Sequence, residues 1–119
     1  MKILIVDDII INRLIVREII RALGHEYKEA ENGLKAIDYL SKEDFDIIFL
    51  DIEMPVMNGL ETAKKIRETF MEPKNKIPIY AITAYNPTFL HDELNLSDFN
   101  GIITKPFSSD KIAVILSSL

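Results

Sequence analysis

Five polar residues stand where apolar runs of this chain end. Asp7 and Asp8 follow Ile5-Val6, Asp51 follows Phe49-Leu50, Thr83 follows Ile82, and Lys105 follows Thr104. Carboxylates held about 5 Å apart repel by about 3 kcal/mol at an effective dielectric of 20, so a close cluster must take up a proton or bind a cation. An all-oxygen set without His or Cys favours Mg²⁺, with water filling the remaining positions. Taken singly, a strand-end aspartate more often only caps a turn or a helix. Lys105 supplies a point charge suited to a phosphoryl oxygen, or equally a salt bridge to Asp51. Thr83 can donate to a phosphoryl oxygen or simply end a strand. A carboxylate beside Mg²⁺, an ammonium group and a hydroxyl can accept a phosphoryl group as an aspartyl phosphate, since cation and lysine neutralise charge on the equatorial oxygens.

For these residues to meet, their elements must share one rim. Buried-strand patterns cover Lys2–Val6, Asp46–Leu50, Ile77–Ile82 and Ile102–Thr104, with a more polar strand, nearer a sheet edge, at Glu26–Ala30. Helical patterns lie between them. Ile11, Leu14, Ile15, Ile19 and Leu23 form a first apolar stripe, and Gly24 is placed to stop that helix. Leu34, Ile37 and Leu40 mark a second helix; Leu60, Ala63, Ile66 and Phe70 mark a third, with Lys64, Lys65 and Arg67 turned outward. A weakly patterned fourth helix falls at Pro87–Leu94. Ile112, Ile115, Leu116 and Leu119 mark the last, with Ser108, Ser109 and Asp110 available to cap it. The alternation predicts an α/β fold: a doubly wound, five-stranded parallel sheet with helices on both faces. Such sheets bind ligands outside the carboxyl ends of their strands, where the five polar residues sit. The second strand ends in Glu31-Asn32-Gly33, an ordinary turn.

The chain has 119 residues, no cysteine, 19 acidic against 14 basic side chains and a net charge of −5. With no linker or repeat, residues 1–119 are expected to form one domain. Cysteine redox chemistry, disulfides and thiolate metal sites are excluded. No apolar run reaches the roughly 18 residues of a membrane span, and the acidic balance argues against a nucleic-acid surface. A cytoplasmic home is expected. Met1 directly before the first strand favours a stand-alone protein, although a domain taken from a larger parent can look the same.

The sequence resembles the receiver domain of two-component response regulators across essentially its whole length. The resemblance rests on Ile5-Val6-Asp7-Asp8, on the run from Leu50-Asp51-Ile52-Glu53 through Met54-Pro55-Val56-Met57-Asn58-Gly59, on Ile82-Thr83-Ala84 and on Lys105-Pro106. Asn12-Arg13, Leu23-Gly24-His25 and Glu31-Asn32-Gly33 are most similar to receivers of hybrid histidine kinases and their single-domain relatives. The resemblance implies a flavodoxin-like strand order 2-1-3-4-5. It implies that Asp51 accepts a phosphoryl group from a phosphohistidine on a sensor histidine kinase or phosphotransfer protein. Asp8 and Asp51 would bind Mg²⁺ directly, Asp7 through water, and Glu53 by its backbone carbonyl. Thr83 would swing towards the phosphoryl group, Lys105 would pair with one of its oxygens, and the Lys105-Pro106 peptide would be cis. Such a protein is a switch, a monomer or weak dimer, and not an enzyme acting on small molecules. Its own chemistry is limited to self-catalysed transfer to Asp51 and slow autodephosphorylation.

One departure stands out. Receivers usually carry Tyr or Phe three residues before the lysine, whereas here Ile102 offers no ring to turn inward. That favours, slightly, a degenerate receiver that binds partners without phosphorylation. A metal-dependent phosphatase, suggested by Asp51-Ile52-Glu53, is less favoured because no cap-like region is present. Ile9 follows the acidic pair and either narrows the site or belongs to a docking surface. Glu53 and Tyr85 are expected to flank the path of attacking water. Ile9, Ile10 and Val16 are candidates for a patch that meets a kinase's helical domain, with Ile15 and Ile19 assigned to the core. His25 and His91 read as ordinary turn and surface residues, and Met54 and Met57 as loop packing. After Lys105-Pro106 only one helical pattern remains, so no DNA-binding output domain is expected and output is to run through protein partners or a larger parent.

Overall fold

The computed structural model describes residues 1–55, 57–84, 96–105 and 108–119. The Pro87–Leu94 helical pattern, Tyr85, His91 and the Lys105-Pro106 peptide lie outside them. Five strands, β1 (Lys2–Val6), β2 (Glu26–Ala30), β3 (Ile47–Asp51), β4 (Ile79–Thr83) and β5 (Gly101–Thr104), pair in parallel in the order β2-β1-β3-β4-β5. Among the described residues the α-helices are α1 (Ile10–Ala22), α2 (Gly33–Lys42), α3 (Gly59–Thr69) and α4 (Ser109–Ser117). The expected doubly wound sheet and its strand order are both present.

Alternate side chains of the central strands feed two cores. Ile3, Ile5, Ile47, Phe49, Ile82 and Ile103 pack with Val16 and Ile20 of α1 and Ile112 and Leu116 of α4. On the opposite face Leu4, Val6, Ile48, Leu50 and Ile79 pack with Ala36 and Leu40 of α2 and Ala63 and Ile66 of α3. Both faces of the central strands are therefore buried, which is why those strands read as continuous apolar runs.

Strand limits shift slightly from the sequence-based expectation. β3 starts at Ile47 and includes Asp51, and β5 starts one residue earlier, at Gly101. β4 starts at Ile79 because Ile77 closes a 3₁₀ turn, donating its N–H to the Lys74 carbonyl, and Pro78 has no N–H to give. The orientation of α1 differs more. Val16 and Ile20 face the core, Ile19 is half-buried, and Ile11, Leu14, Ile15 and Leu23 are exposed. The predicted core assignment of Ile15 and the surface assignment of Val16 are thus reversed. This helix carries apolar residues on several sides, so the stripe alone does not say which side meets the sheet. Leu34 of α2 is likewise exposed.

Gly24 stops α1 as expected. It sits at φ 83° and donates to the Arg21 carbonyl while His25 donates to that of Ile20, a Schellman ending that needs a left-handed residue. The other helices start on side-chain caps. Asn32 accepts from the Lys35 N–H, Asn58 forms a reciprocal box with Glu61, and Ser108 accepts from the Lys111 N–H. Arg67 departs from its predicted outward position: it is half-buried and donates to the carbonyls of Asn75, Ile77 and Asp98 and to Asn100 Oδ1.

Candidate functional site

Register brings the polar strand ends level. Val6 pairs with Leu50, Asp51 with Ile82, and Thr83 with Thr104, so the residues that follow or end these strands emerge on one rim. Carboxylate oxygens of Asp7, Asp8 and Asp51 lie within 4.8 Å of one another. Lys105 Nζ stands 3.8 Å from Asp7 Oδ2 and 3.8 Å from Asp51 Oδ1. Asp7, Asp51 and Thr83 are buried, Asp8 and Lys105 half-buried, and Glu53 exposed. All six residues singled out in the sequence are at this rim.

Backbone contacts aim the carboxylates. Asp7 Oδ1 accepts from the Ile9 N–H at 3.0 Å, and its carbonyl accepts from Arg13 Nη1 at 2.7 Å. Asp51 Oδ1 accepts from the Glu53 N–H at 3.3 Å. The loop after β3 is drawn tight by the start of α3. A Cβ on Gly59 would stand 2.3 Å from the Asp51 carbonyl oxygen and 2.7 Å from Ile52 Cα, so a larger residue would push the acceptor strand end aside. Met54 and Met57 are buried in this loop, the packing role expected of them.

Charge is crowded here. Burial, then the neighbouring Asp7 carboxylate, push the Asp51 carboxyl up to about 7, against the pull of Lys105 and the Glu53 N–H. Burial also raises Asp7, opposed by the Ile9 N–H and Lys105 and assisted by Asp8. Asp8 Oδ1 is closed off from solvent and meets no hydrogen-bond donor among the described residues. A buried, unsatisfied carboxylate oxygen beside two more carboxylates is the donor set of a hard divalent cation, so the residues present fit Mg²⁺.

One contact was not anticipated. The Thr83 hydroxyl donates to Glu53 Oε1 at 2.8 Å, joining the ends of β4 and β3 across 30 residues of sequence. The receiver resemblance implies a metal-binding role for the Glu53 backbone carbonyl, and nothing in the sequence signals this side-chain bond. Ile102, in the position usually aromatic, is half-buried against the small cluster of Ile52 and Ala81. Ile9 and Ile10 are exposed where α1 leaves the rim. His25 has an ordinary setting, its Nδ1 3.0 Å from the Met1 amine.

A flavodoxin-like sheet carrying an acidic trio, a lysine and a threonine on its carboxyl rim is the architecture of a two-component signalling receiver. The profile of the response regulator receiver domain matches residues 3–117, and the chain belongs to that family. It is 40% identical over 110 residues to chemotaxis protein CheY-3 of Vibrio cholerae, covering 92% of this chain and 83% of that protein. Sensor protein EvgS of Escherichia coli is 33% identical over 120 residues, which span all of this chain and 10% of EvgS. Among solved structures, the receiver domain of sensor histidine kinase PA1611 from Pseudomonas aeruginosa, with magnesium coordinated in its active-site cleft, superposes with a TM-score of 0.88. It is 26% identical, with 98% of this chain and 94% of that one covered. Response regulator TrrA of Thermotoga maritima, in complex with Mg²⁺ and BeF, superposes with a TM-score of 0.86 at 31% identity, with 98% and 96% covered. The acidic cluster thus lies in a family whose members bind Mg²⁺ at such a site. Among the described residues no helix is long and apolar enough to cross a membrane.

Proposed function

We propose that residues 1–119 act as one phosphorylation-dependent switch in which Asp51 accepts the phosphoryl group of a phosphohistidine. The observation that carries this reading is the joint placement of Asp51, Lys105 and an unsatisfied Asp8 oxygen on one rim. Asp8 and Asp51 would hold Mg²⁺ directly, Asp7 through water, and the Glu53 backbone carbonyl would complete the protein ligands. Bound there, Mg²⁺ supplies neutralisation of the charge that develops on the transferring group. Lys105, already 3.8 Å from Asp51 Oδ1, pairs with a phosphoryl oxygen. In the transfer the donor's N–P bond breaks, a bond forms from an Asp51 Oδ to phosphorus, and the imidazole leaves to regain its proton from water. Thr83 then supplies its hydroxyl to the phosphoryl group and carries the change outward.

The donor is a sensor histidine kinase or a histidine phosphotransfer protein in the cytoplasm. The exposed Ile9, Ile10, Ile11 and Leu14 beside the rim suit a helical partner. The chain is a switch and not a small-molecule enzyme, and it works as a monomer or weak dimer. Ile102 favours a second reading, a receiver that binds partners without phosphorylation. It is the weaker one because the acceptor, lysine and hydroxyl are all present.

Intact mass after incubation with Mg²⁺ and acetyl phosphate is the test. One phosphoryl adduct is expected, dependent on Mg²⁺ and absent from Asp51→Asn. No adduct from acetyl phosphate or from a phosphohistidine protein, with the protein folded and Mg²⁺ bound, would favour the partner-binding module.

A further inference from the structure

Building on the switch reading above, we infer that Glu53 is a latch on Thr83, holding the hydroxyl away from the acceptor until a phosphoryl group outcompetes it. Thr83 is fully buried, and its Oγ1 donates to Glu53 Oε1 at 2.8 Å. The backbone of Glu53 is tied to the acceptor, its N–H donating to Asp51 Oδ1 at 3.3 Å, so the carboxylate reaches to β4 from a fixed point beside Asp51. A threonine hydroxyl carries one proton. It can be donated to Glu53 or to a phosphoryl oxygen on Asp51, but not to both.

The two bonds therefore define two states of one side chain. Glu53 stabilises the waiting state, and the phosphoryl group stabilises the engaged state. A bond to a charged acceptor is stronger than one to a neutral group. Glu53 thus sets the threshold that phosphorylation must overcome, and it does so without touching the transferring group. It is a positioning residue, acting through Thr83. Removing a group that stabilises the waiting state alone raises affinity for anything that binds the engaged one.

Beryllofluoride with Mg²⁺, a phosphoryl mimic, provides the probe, titrated by fluorine NMR with Mg²⁺ affinity measured separately for each protein. Glu53→Ala is expected to bind it about tenfold more tightly than the parent. Glu53→Gln keeps an acceptor oxygen and is expected to stay within about threefold of the parent. In a Thr83→Val background, which has no hydroxyl to latch, the gain from Glu53→Ala should disappear. The Thr83 methyl resonance of the free protein should move in Glu53→Ala and hold in Glu53→Gln. An equal gain for Gln and Ala would reveal charge repulsion instead and overturn the latch. So would an equal gain with Val at position 83, or no gain at all. If the parent takes up neither beryllofluoride nor a phosphoryl group, the switch reading itself fails and the latch falls with it.

Discussion

The two rims of this sheet handle buried charge in opposite ways. At the amino ends of β4 and β5, the Arg67 guanidinium reaches from the last turn of α3 and makes five hydrogen bonds to Asn75, Ile77, Asp98 and Asn100. Asn100 in turn accepts from the Ile79 N–H, just where β4 begins. At the carboxyl ends, Asp7 and Asp51 share one lysine, an Asp8 oxygen is left without a donor among the described residues, and burial raises two of the carboxyl groups. One rim surrounds its buried guanidinium with acceptors and fixes strand positions, leaving only Asn75 Oδ1 unpartnered among its described side chains. The other is left under electrostatic stress that a bound divalent cation would relieve. A stressed rim keeps its geometry only if the frame beneath it is rigid.

Removing Arg67 is the largest blow to that contrast. Arg67→Ala leaves the carbonyls of two connecting segments without their donor and should cost about 2–3 kcal/mol in urea unfolding. Mg²⁺ affinity of the folded protein should change by less than about twofold, since the lost bonds lie at the far end of the strands. A stability change under about 0.5 kcal/mol would mean that water replaces the arginine freely and that the satisfied rim is not what holds the frame.

At the other rim the effect reverses in sign. Asp7 and Asp51 have carboxyl groups raised above the ordinary value of 3.8, Asp51 to about 7. The folded, Mg²⁺-free protein therefore holds protons that the unfolded chain has released. The stability this contributes is complete below about pH 4 and is lost as pH rises to about 7. Asp7→Asn should accordingly stabilise the protein in EDTA at pH 7.5, by about 1–2 kcal/mol. The gain should shrink towards zero at pH 4, and saturating Mg²⁺ should cancel or invert it by stabilising the parent. Urea unfolding across these conditions measures it. A parent more stable than Asp7→Asn in EDTA at both pH values would remove the idea of a stressed rim.

The carboxyl rim was legible because its signals are local. Asp7, Asp8, Asp51, Thr83 and Lys105 each stand at or just past a strand end, and parallel pairing without a bulge carries those ends to one level. The amino rim was not, because Arg67 on the polar side of α3 reads as solvent-facing, while its partners lie from 8 to 33 residues further along. Glu53 and Thr83 share this difficulty, with a contact set by tertiary packing of the ends of β3 and β4. Helix α1 failed for another reason. Neighbouring apolar residues such as Ile15, Val16, Ile19 and Ile20 offer more than one stripe at helical spacing, and only contact with β1, β3 and α4 selects among them.

That selection has the smallest measurable consequence, and it separates frame from surface within two adjacent residues. Val16 is 1% exposed and packs between α1 and the sheet, whereas Ile15 is 45% exposed. Val16→Ala removes two buried methyl groups and should cost about 1–2 kcal/mol. Ile15→Ala, although it deletes more carbon, should cost less than about 0.5 kcal/mol, because its side chain already meets water and alanine favours the helix. The order of these two midpoints in urea fixes the rotation of α1, and with it the direction in which Ile10, Ile11 and Leu14 point beside the acidic rim. Were Ile15→Ala the costlier change, α1 would be turned by about 100° about its axis, and the apolar patch offered to a partner would consist of different residues.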